Sequence, residues 1–326
     1  MAHFGGFLAT GLAEVSDDPR VLDGSGRWAV VVTFEGEVTC ARFEHWERRD
    51  LPAAPPWRGP GSGTWSTSLD REAYIAAVKA VRELVADGTV YQVNVCRVMS
   101  AALPEPEQSL VPLASRLAQR HAAPFAGLVR LPGLQVVSAS PELFLRRAGD
   151  RIVSSPIKGT GRTTADLTPK DAAENVMIVD LVRNDLSRVS TTGSIAVDEL
   201  LSVEHHPGLV HLVSTVSGTL LPSAGWADLF AATFPPGSVS GAPKSSALQA
   251  ISDLEPVPRG PYCGAVGWVD ADRGTAELAV GIRTFWETGG ALHFGTGAGI
   301  TWGSDPVKEW AETELKAERL VSLASC

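Results

Sequence analysis

The chain has 326 residues, 44% hydrophobic and 20% charged, enough for one large domain or two ordinary ones with a substantial core. The net charge of −9 argues against nucleic acid or an anionic membrane as a partner, and the composition argues against wholesale disorder. Four scattered cysteines show no metal-ligand spacing, the N-terminus lacks a cationic signal region, and no apolar run reaches about 18 residues. We therefore expect a cytoplasmic, reduced protein that does not span a membrane.

The first third of the chain predicts β-strands, then an irregular linker, then a helix. Residues 27–34 and 37–43 are two strand candidates around a Glu-Gly turn signal. Residues 51–63 are rich in proline and glycine and predict a linker. A helix is expected over residues 70–87, where apolar side chains repeat at helical spacing. We place a short β-rich N-terminal segment with its linker at residues 1–65, packed on a main domain at residues 66–326.

The middle of the chain alternates between the two kinds of element. Residues 90–97 alternate as a strand does, residues 109–120 predict a helix, and residues 125–145 hold two strand runs. Another helix should begin at Thr168, a good N-cap, with Pro169 at the first helical position.

The last third mixes strands and helices without a strict alternation. It predicts strand runs, a glycine loop and two helices, in the order 210–216, 245–254 (helix), 265–269, 276–285, 291–294, 295–299 (loop) and 305–323 (helix). This order favours an α+β fold with large antiparallel sheets over a doubly wound parallel sheet.

Lys158 stands between a proline and a glycine, in the stretch Ser-Pro-Ile-Lys-Gly-Thr. Pro156 disfavours a helix, and Gly159 allows a sharp turn or a close ligand approach. Such a lysine is either a solvated loop residue or an amine in a pocket, where burial would lower its pKa and make it a nucleophile. The local sequence leaves both interpretations open.

Three carboxylates suggest a metal site. Glu309 and Glu312 are three residues apart on the last predicted helix, and Glu174 stands on another helix. Carboxylates near an anionic substrate suit Mg²⁺, which keeps waters and substrate oxygens among its ligands. The alternative is an ordinary surface pair between Glu312 and Lys316, four residues apart.

Three further features are chemically notable. The run from Gly295 to Gly299 fails as a dinucleotide fingerprint because no helix follows it, but it could bind an anion or form a tight turn. His211 in an apolar strand is typical of a satisfied core residue. Arg283 lies in the apolar run 276–285, where a guanidinium is costly unless a carboxylate of the protein or of a ligand pairs with it.

Taken together, these motifs resemble the chorismate-utilising enzymes, which include anthranilate, isochorismate, salicylate and aminodeoxychorismate synthases. The resemblance runs from about residue 68 to the C-terminus. The matching stretches are YQVNVCR (91–97), SPELF (140–144), PIKGT (156–160), AENVMIVDLVRNDLSRV (173–189), HLVSTVSG (211–218), FPPGSVSGAPK (234–244), CGAVG (263–267), IRTF (282–285), GTGAGIT (295–301) and EWAETELK (309–316). It implies a single large α+β domain with two packed antiparallel sheets and helices outside, and a site for chorismate with Mg²⁺.

The resemblance also implies roles for particular residues. Glu174 and Glu312 match the Mg²⁺ ligands, and Glu309 matches a further acid beside the metal. Glu142 matches a proposed general acid or base, and His211 a histidine close to the substrate ring. The implied substrate-binding set is Arg283, Gly297, Ala298, Gly299, Thr160, Tyr262, Lys244 and Gln92.

Two positions then indicate the reaction. Water-adding members carry a lysine base where this chain has Gln92, and anthranilate synthases usually read PIAGT where this chain reads PIKGT. Lys158 therefore resembles the aminodeoxychorismate-forming members, in which the lysine forms a covalent adduct that ammonia displaces. The resemblance implies ammonia from a glutaminase subunit as a partner. The alternatives are another chorismate-utilising enzyme, forming anthranilate or isochorismate, and a non-catalytic chorismate-binding subunit.

Overall fold

The computed structural model describes residues 1–106, 108–161, 163–206 and 209–326, with the backbone alone of Thr160, His206 and Leu209. Its helices are α1 (Arg71–Ala86), α2 (Val111–Arg120), α3 (Pro169–Ser187), α4 (Trp226–Thr233), α5 (Lys244–Leu254) and α6 (Pro306–Ala324). Within these ranges no helix is both long and apolar enough to cross a bilayer.

Eighteen strands are assigned in the same described ranges. The first nine are β1 (Ala2–Phe4), β2 (Phe7–Ser16), β3 (Arg27–Val32), β4 (Val38–Arg48), β5 (Ser66–Thr67), β6 (Gln92–Ala102), β7 (Phe125–Leu131), β8 (Leu134–Ser140) and β9 (Leu143–Ala148). The other nine are β10 (Arg151–Ser155), β11 (Ile157–Gly161), β12 (Ala196–His206), β13 (Leu209–Thr219), β14 (Gly241–Ala242), β15 (Ala265–Asp270), β16 (Thr275–Val280), β17 (Thr284–Thr288) and β18 (Ala291–Ile300).

The strands form two antiparallel sheets that are joined at one edge through β2. The first sheet runs in the order β1, β7, β8, β17, β18 and β6, with β5 and β14 on the outer edge of β6. The second runs in the order β4, β3, β15, β16, β9, β10, β13 and β12. Strand β2 pairs with both β1 and β4. The predicted α+β architecture with packed antiparallel sheets is therefore confirmed.

The largest hydrophobic cluster contains buried residues of both sheets, such as Val98 and Val129 from the first and Val30 and Val266 from the second. A second cluster holds α2 and α6 against the first sheet, and a third holds α1 and α5 against β6 and β18. Helix α3 packs on β13 of the second sheet. The helices therefore lie outside the two sheets, as expected.

Helix starts follow the sequence closely. Asp70 caps α1 by accepting a hydrogen bond from the backbone of Ala73. Thr168 and Asp171 form a reciprocal capping box at the start of α3, with Pro169 in the first helical turn. Both caps satisfy backbone N–H groups that a helix end leaves without partners. The Thr168 cap was predicted from the sequence, whereas the start of α1 was predicted from its apolar spacing.

The N-terminal strands belong to the same sheets as the rest of the chain, since β1 pairs with β7 and β3 pairs with β15. The proline-rich linker, predicted over residues 51–63, has no helix or strand over residues 51–61, and its last two residues lie in a short helical turn, Ser62–Thr64. It is nevertheless fixed in place, because the Trp57 indole donates a hydrogen bond to the backbone oxygen of Ala324 at the end of α6. The division at residue 65 stays a prediction.

Two expectations for the last third were wrong. The glycine run 295–299 is not a loop but lies within β18, paired with β6 from Gly297↔Cys96 to Gly299↔Asn94. The glycines are needed for packing, because a Cβ on Gly295 would lie 2.0 Å from the Tyr262 ring. The run 276–285 is not one strand but two, β16 and β17, and Arg283 lies between them with φ of 53°.

Candidate active site

The site lies where the two sheets and two helices approach one another. Strand β11 contributes Lys158, the adjoining ends of β6 and β18 contribute Gln92 and Gly299, and α3 and α6 contribute carboxylates. The short helical turn Gly237–Val239 closes one side. Strands β10 and β11 pair in succession along the same edge of β13, with Pro156 at the break between them. Strand β11, which carries Lys158, begins directly after Pro156.

The Lys158 amine is held inside the site. Its Nζ donates a hydrogen bond of 2.8 Å to the backbone oxygen of Ser238. Burial lowers the pKa of this amine, while the carboxylates of Glu174 and Glu142 act in the opposite direction. The neighbouring Gly159 has φ of 83°, a conformation that favours glycine. The interpretation of Lys158 as a solvated loop residue is therefore wrong.

Glu142 is the most perturbed carboxyl group of the site. It is 3% exposed and follows β8, in the loop that leads to β9. Burial raises its pKa to about 7, although a hydrogen bond with Ser238 and the charge of Lys158 pull the pKa down. A carboxyl group with this pKa is protonated for a large part of the time at neutral pH, so it can donate a proton.

Gln92 and Gly299 border the Lys158 amine. A Cβ on Gly299 would lie 2.5 Å from Gln92 Nε2 and 3.6 Å from Lys158 Nζ. Gln92 is fully buried, and neither its Nε2 nor its Oε1 has a hydrogen-bond partner in the described part of the chain. Such orphaned groups cost about 1–3 kcal/mol each, so they indicate that a polar ligand completes the site.

Two backbone N–H groups of β18 face away from β6. The Gly297 carbonyl accepts a 3.0 Å hydrogen bond from Lys316 Nζ, so the polar groups of this residue face away from β6. In an antiparallel ladder every second residue has this orientation, and Gly299 therefore shares it. Ala298 lies between them and is buried against α1 and α5.

Two of the three predicted metal ligands meet around one positive charge. Lys170 Nζ lies 3.1 Å from Glu309 Oε1 and 3.6 Å from Glu174 Oε1. Burial raises the pKa of Glu174, and the nearby charge of Glu309 adds to this effect. Glu312 faces the solvent more and pairs with Lys316 at 2.7 Å. Burial would raise the pKa of Glu312, but the hydrogen bond and charge of Lys316, together with the charges of Lys170 and Lys158, lower it overall.

The donor set fits a hard divalent cation. Glu174 Oε1 is buried and has no hydrogen-bond partner among the described residues, and Glu309 is 4% exposed. In the described ranges no three His, Cys, Asp or Glu side chains form a metal cage by themselves. A metal bound here would thus need oxygens from water or a ligand, which is how Mg²⁺ is usually held.

Arg283 is a guanidinium without a protein counter-ion among the described residues. Burial lowers the pKa of Arg283. The pKa of His121 is lowered to about 4 by the burial of His121 itself and, in addition, by the charge of Arg283. The positive φ of Arg283 is rare for a non-glycine residue, and such strain is concentrated at functional sites. The predicted role of Arg283 in binding a substrate carboxylate is compatible with these observations and stays a prediction.

Three predicted residues have other surroundings. Tyr262 is buried in the core, behind Gly295, with its hydroxyl 3.7 Å from Cys96 Sγ. Lys244 at the start of α5 donates a 2.7 Å hydrogen bond to Asp185. His211 is buried on β13, opposite Glu204 in the pairing with β12. The structure gives Tyr262 and Lys244 structural contacts, and their substrate-binding roles stay predictions.

The predicted role of Thr160 falls on a side chain outside the described residues, although its backbone lies opposite His211 in the pairing of β11 with β13. That role also stays a prediction.

Three site residues were missed by the sequence analysis. Lys170 stands four residues before Glu174, a spacing that could have indicated an ion pair. Lys316 was treated as a surface partner of Glu312, but it also reaches the backbone of Gly297. Ser238 contacts both Lys158 and Glu142. It lies in the matching stretch 234–244, but no role was assigned to it.

Comparison with known proteins agrees with this fold. The family model of the chorismate binding enzymes matches residues 26–322, and the chain therefore belongs to this family. It is 38% identical over 272 residues to anthranilate synthase component 1 from Haloarcula marismortui, covering 79% of this chain and 55% of that protein. The chain thus spans just over half the length of this relative.

Other members of the family are similar to the chain to a comparable degree. It is 35% identical over 324 residues to aminodeoxychorismate synthase component 1 from Klebsiella aerogenes, covering 93% of this chain and 70% of that one. A crystal structure from Bacillus anthracis described as a 2,3-dihydroxybenzoate-specific isochorismate synthase superposes with a TM-score of 0.80 at 25% identity, covering 97% of this chain and 93% of that one. Similarity alone therefore does not select one reaction.

Proposed function

We propose that the chain is an aminodeoxychorismate synthase component, which converts chorismate and ammonia to 4-amino-4-deoxychorismate through a covalent adduct on Lys158. The observation that carries the proposal is the enclosed amine of Lys158, with its lowered pKa, beside the protonatable Glu142. A nucleophile and a proton donor next to each other are what a substitution with a poor leaving group requires.

In the first step the neutral Lys158 amine attacks C2 of chorismate. The C2–N bond forms, the ring double bonds shift, and the C4–O bond breaks. Glu142 donates its proton to the departing hydroxyl group, which leaves as water, and the Glu142 carboxylate then takes up the extra proton of the Lys158 nitrogen. The raised pKa of Glu142 supports this role, since an ordinary glutamate would be ionised at neutral pH.

In the second step ammonia attacks C4. The C4–N bond forms, the double bonds shift back, and the C2–N bond to Lys158 breaks. A proton passes from the nitrogen on C4 to the departing nitrogen, so the lysine is regenerated as a neutral amine. Gln92 supports amination over hydration, because a neutral amide cannot deprotonate water as a lysine base would. Its two unpaired polar atoms can instead hydrogen-bond to a ligand beside Lys158.

Charge balance supports an anionic substrate with a divalent cation. Arg283 and the outward-facing N–H groups of Gly297 and Gly299 would hold carboxylates. Glu174, Glu309 and Glu312 would hold Mg²⁺, with water and substrate oxygens completing its shell. When bound, this ion supplies positive charge that neutralises the substrate carboxylates. The ammonia source we propose is a glutaminase subunit, or free ammonium in its absence.

A second candidate is anthranilate formation, because a relative at 38% identity bears the name anthranilate synthase component 1. In that reaction nitrogen would be attached at C2, where Lys158 attacks in our proposal. The position of the nitrogen in the product therefore separates the two functions.

The test is to incubate the purified protein with chorismate, MgCl₂ and ¹⁵N-ammonium and to determine the product by mass spectrometry and NMR. We expect ¹⁵N on C4 and an intact enolpyruvyl group. Anthranilate, with nitrogen on C2 and the enolpyruvyl group lost, would replace the proposal with the second candidate. Isochorismate formed without ammonium would contradict both.

A further inference from the structure

Lys170 lies in the first turn of α3 and reaches across to α6. Its Nζ is 3.1 Å from Glu309 Oε1 and 3.6 Å from Glu174 Oε1. The side chains of Glu309 and Glu174 are 5% and 13% exposed, whereas that of Lys170 is 44% exposed. A long side chain thus enters from the surface and places its charge between the buried carboxylate of Glu309 and the partly buried carboxylate of Glu174.

These carboxylates need a positive charge whether or not a metal is bound. Two buried anions close together repel each other strongly when the effective dielectric constant is low. Only one hydrogen bond, from Lys170 to Glu309, is formed between the ammonium and the pair, and Glu174 Oε1 has none among the described residues. The lysine therefore compensates the pair incompletely.

We propose that Lys170 is the internal counter-ion of the metal site. Its ammonium group occupies the site before the divalent cation binds, and it leaves the site when the cation binds. The inference rests on the proposed function, because the same carboxylates are there assigned to Mg²⁺. An ammonium and a divalent ion cannot share these oxygens at low cost, and the exposed stem of Lys170 gives it room to withdraw.

The proposal predicts the sign of the effect of removing this charge. Lys170→Met keeps the length of the stem but abolishes the competition, so the metal should bind more tightly. If Lys170 instead assists metal binding by orienting Glu309, the same substitution should weaken it. Lys170→Arg keeps the positive charge and should behave as wild type.

The experiment measures Mn²⁺ binding to the substrate-free protein by electron paramagnetic resonance, with Mg²⁺ as the competing ion. Mn²⁺ is the probe because it prefers the same oxygen ligands. We expect Lys170→Met to bind Mn²⁺ at least about threefold more tightly than wild type, and the difference to shrink in high salt as screening increases. Lys308→Met, an exposed lysine on α6 with no contact to the carboxylate pair among the described residues, is the matched control.

Thermal unfolding gives a second readout. In EDTA, Lys170→Met should melt below wild type because the two carboxylates have lost the positive charge that lies between them, with Lys158 left as the other cation near Glu174. Added Mg²⁺ should raise the Tm of the variant more than that of wild type. Unchanged or weaker Mn²⁺ binding, with an unchanged melting temperature in EDTA, would overturn the proposal and leave the metal site standing. If neither wild type nor the variant binds Mn²⁺, the metal site of the proposed function is contradicted. The counter-ion role of Lys170 is then contradicted as well.

Discussion

Glu142 is the residue through which pH should control turnover. Its pKa is raised to about 7 by burial, so the protonated form is lost as the pH rises above neutrality. If this form protonates the leaving hydroxyl group, kcat should decline on the alkaline side by about tenfold per pH unit. Glu142→Gln should lower kcat by about 10²–10⁴-fold and abolish the alkaline decline, as measured by a pH profile of kcat. An unchanged alkaline limb in this variant would remove Glu142 from the proton transfer.

Arg283 should prove sensitive even to a conservative change. A guanidinium holds a carboxylate with two parallel hydrogen bonds, and lysine cannot. We expect Arg283→Lys to lose about 1.5 kcal/mol or more in kcat/KM. Arg146→Lys, in an exposed pair with Glu277, is the matched control and should remain within about twofold of wild type. Wild-type kinetics in Arg283→Lys would place substrate binding elsewhere.

The sequence motifs identified the chemically important residues, but they did not predict which other residues contact them. Lys158, Glu142 and Glu174 were identified by their motifs, and the structure brings these three together. The contacts of Ser238, Lys170 and Lys316 depend on how β11, α3 and α6 face one another. The packing of these three elements against one another is a tertiary property, and no periodic pattern in the sequence predicts it.

At the scale of elements, β18 shows how a glycine pattern can mislead. Glycine is usually weak in strands, so Gly295–Gly299 predicted a loop. Here the missing side chains allow close approach, since a Cβ on Gly297 would lie 2.5 Å from the Val95 carbonyl oxygen. The outward face of the same strand borders Lys158. The glycines therefore serve both the packing of the sheet and the shape of the site.

Gly299→Ala tests this account of β18. The added methyl group would clash with Gln92 Nε2 and would approach Lys158 Nζ, so it should cost at least about tenfold in kcat/KM. Gly303→Ala is the matched control, because a Cβ at Gly303 meets no atom within 4 Å. Steady-state kinetics of both variants, with circular dichroism to verify folding, provide the measurement. Equal activity of the two would show that Gly299 does not border the reacting atoms.

For the whole molecule, the linker is attached to the last residues of α6 and to the residues that follow them. Gly59 N–H donates to Cys326 Sγ, and the Trp65 indole donates to the hydroxyl group of Ser325. Composition predicted the lack of regular structure over this segment but not its attachment to the end of α6. Attachments of this kind join residues more than 250 positions apart, and local propensity contains no information about them.

Gly59→Ala should therefore lower global stability. A Cβ at this position would lie 1.9 Å from the backbone oxygen of Ala324, which cannot move without shifting the end of α6. We expect a loss of about 1–3 kcal/mol in the free energy of unfolding, measured by urea denaturation. Gly63→Ala, where a Cβ meets no atom within 4 Å, should stay close to wild type. If both variants unfold at the same urea concentration, the attachment contributes nothing to stability.

The central claim is that Lys158 forms a covalent bond with the substrate, and the most direct measurement is to trap that bond. The protein would be mixed with chorismate and MgCl₂ without ammonia, quenched in acid, digested and analysed by peptide mass spectrometry. We predict an adduct of chorismate less one water on the peptide that contains Lys158, with its loss when ammonium is added before the quench. Lys158→Ala should show neither adduct nor aminodeoxychorismate, whereas Lys308→Ala should show both. Formation of aminodeoxychorismate by Lys158→Ala at the wild-type rate would contradict the account.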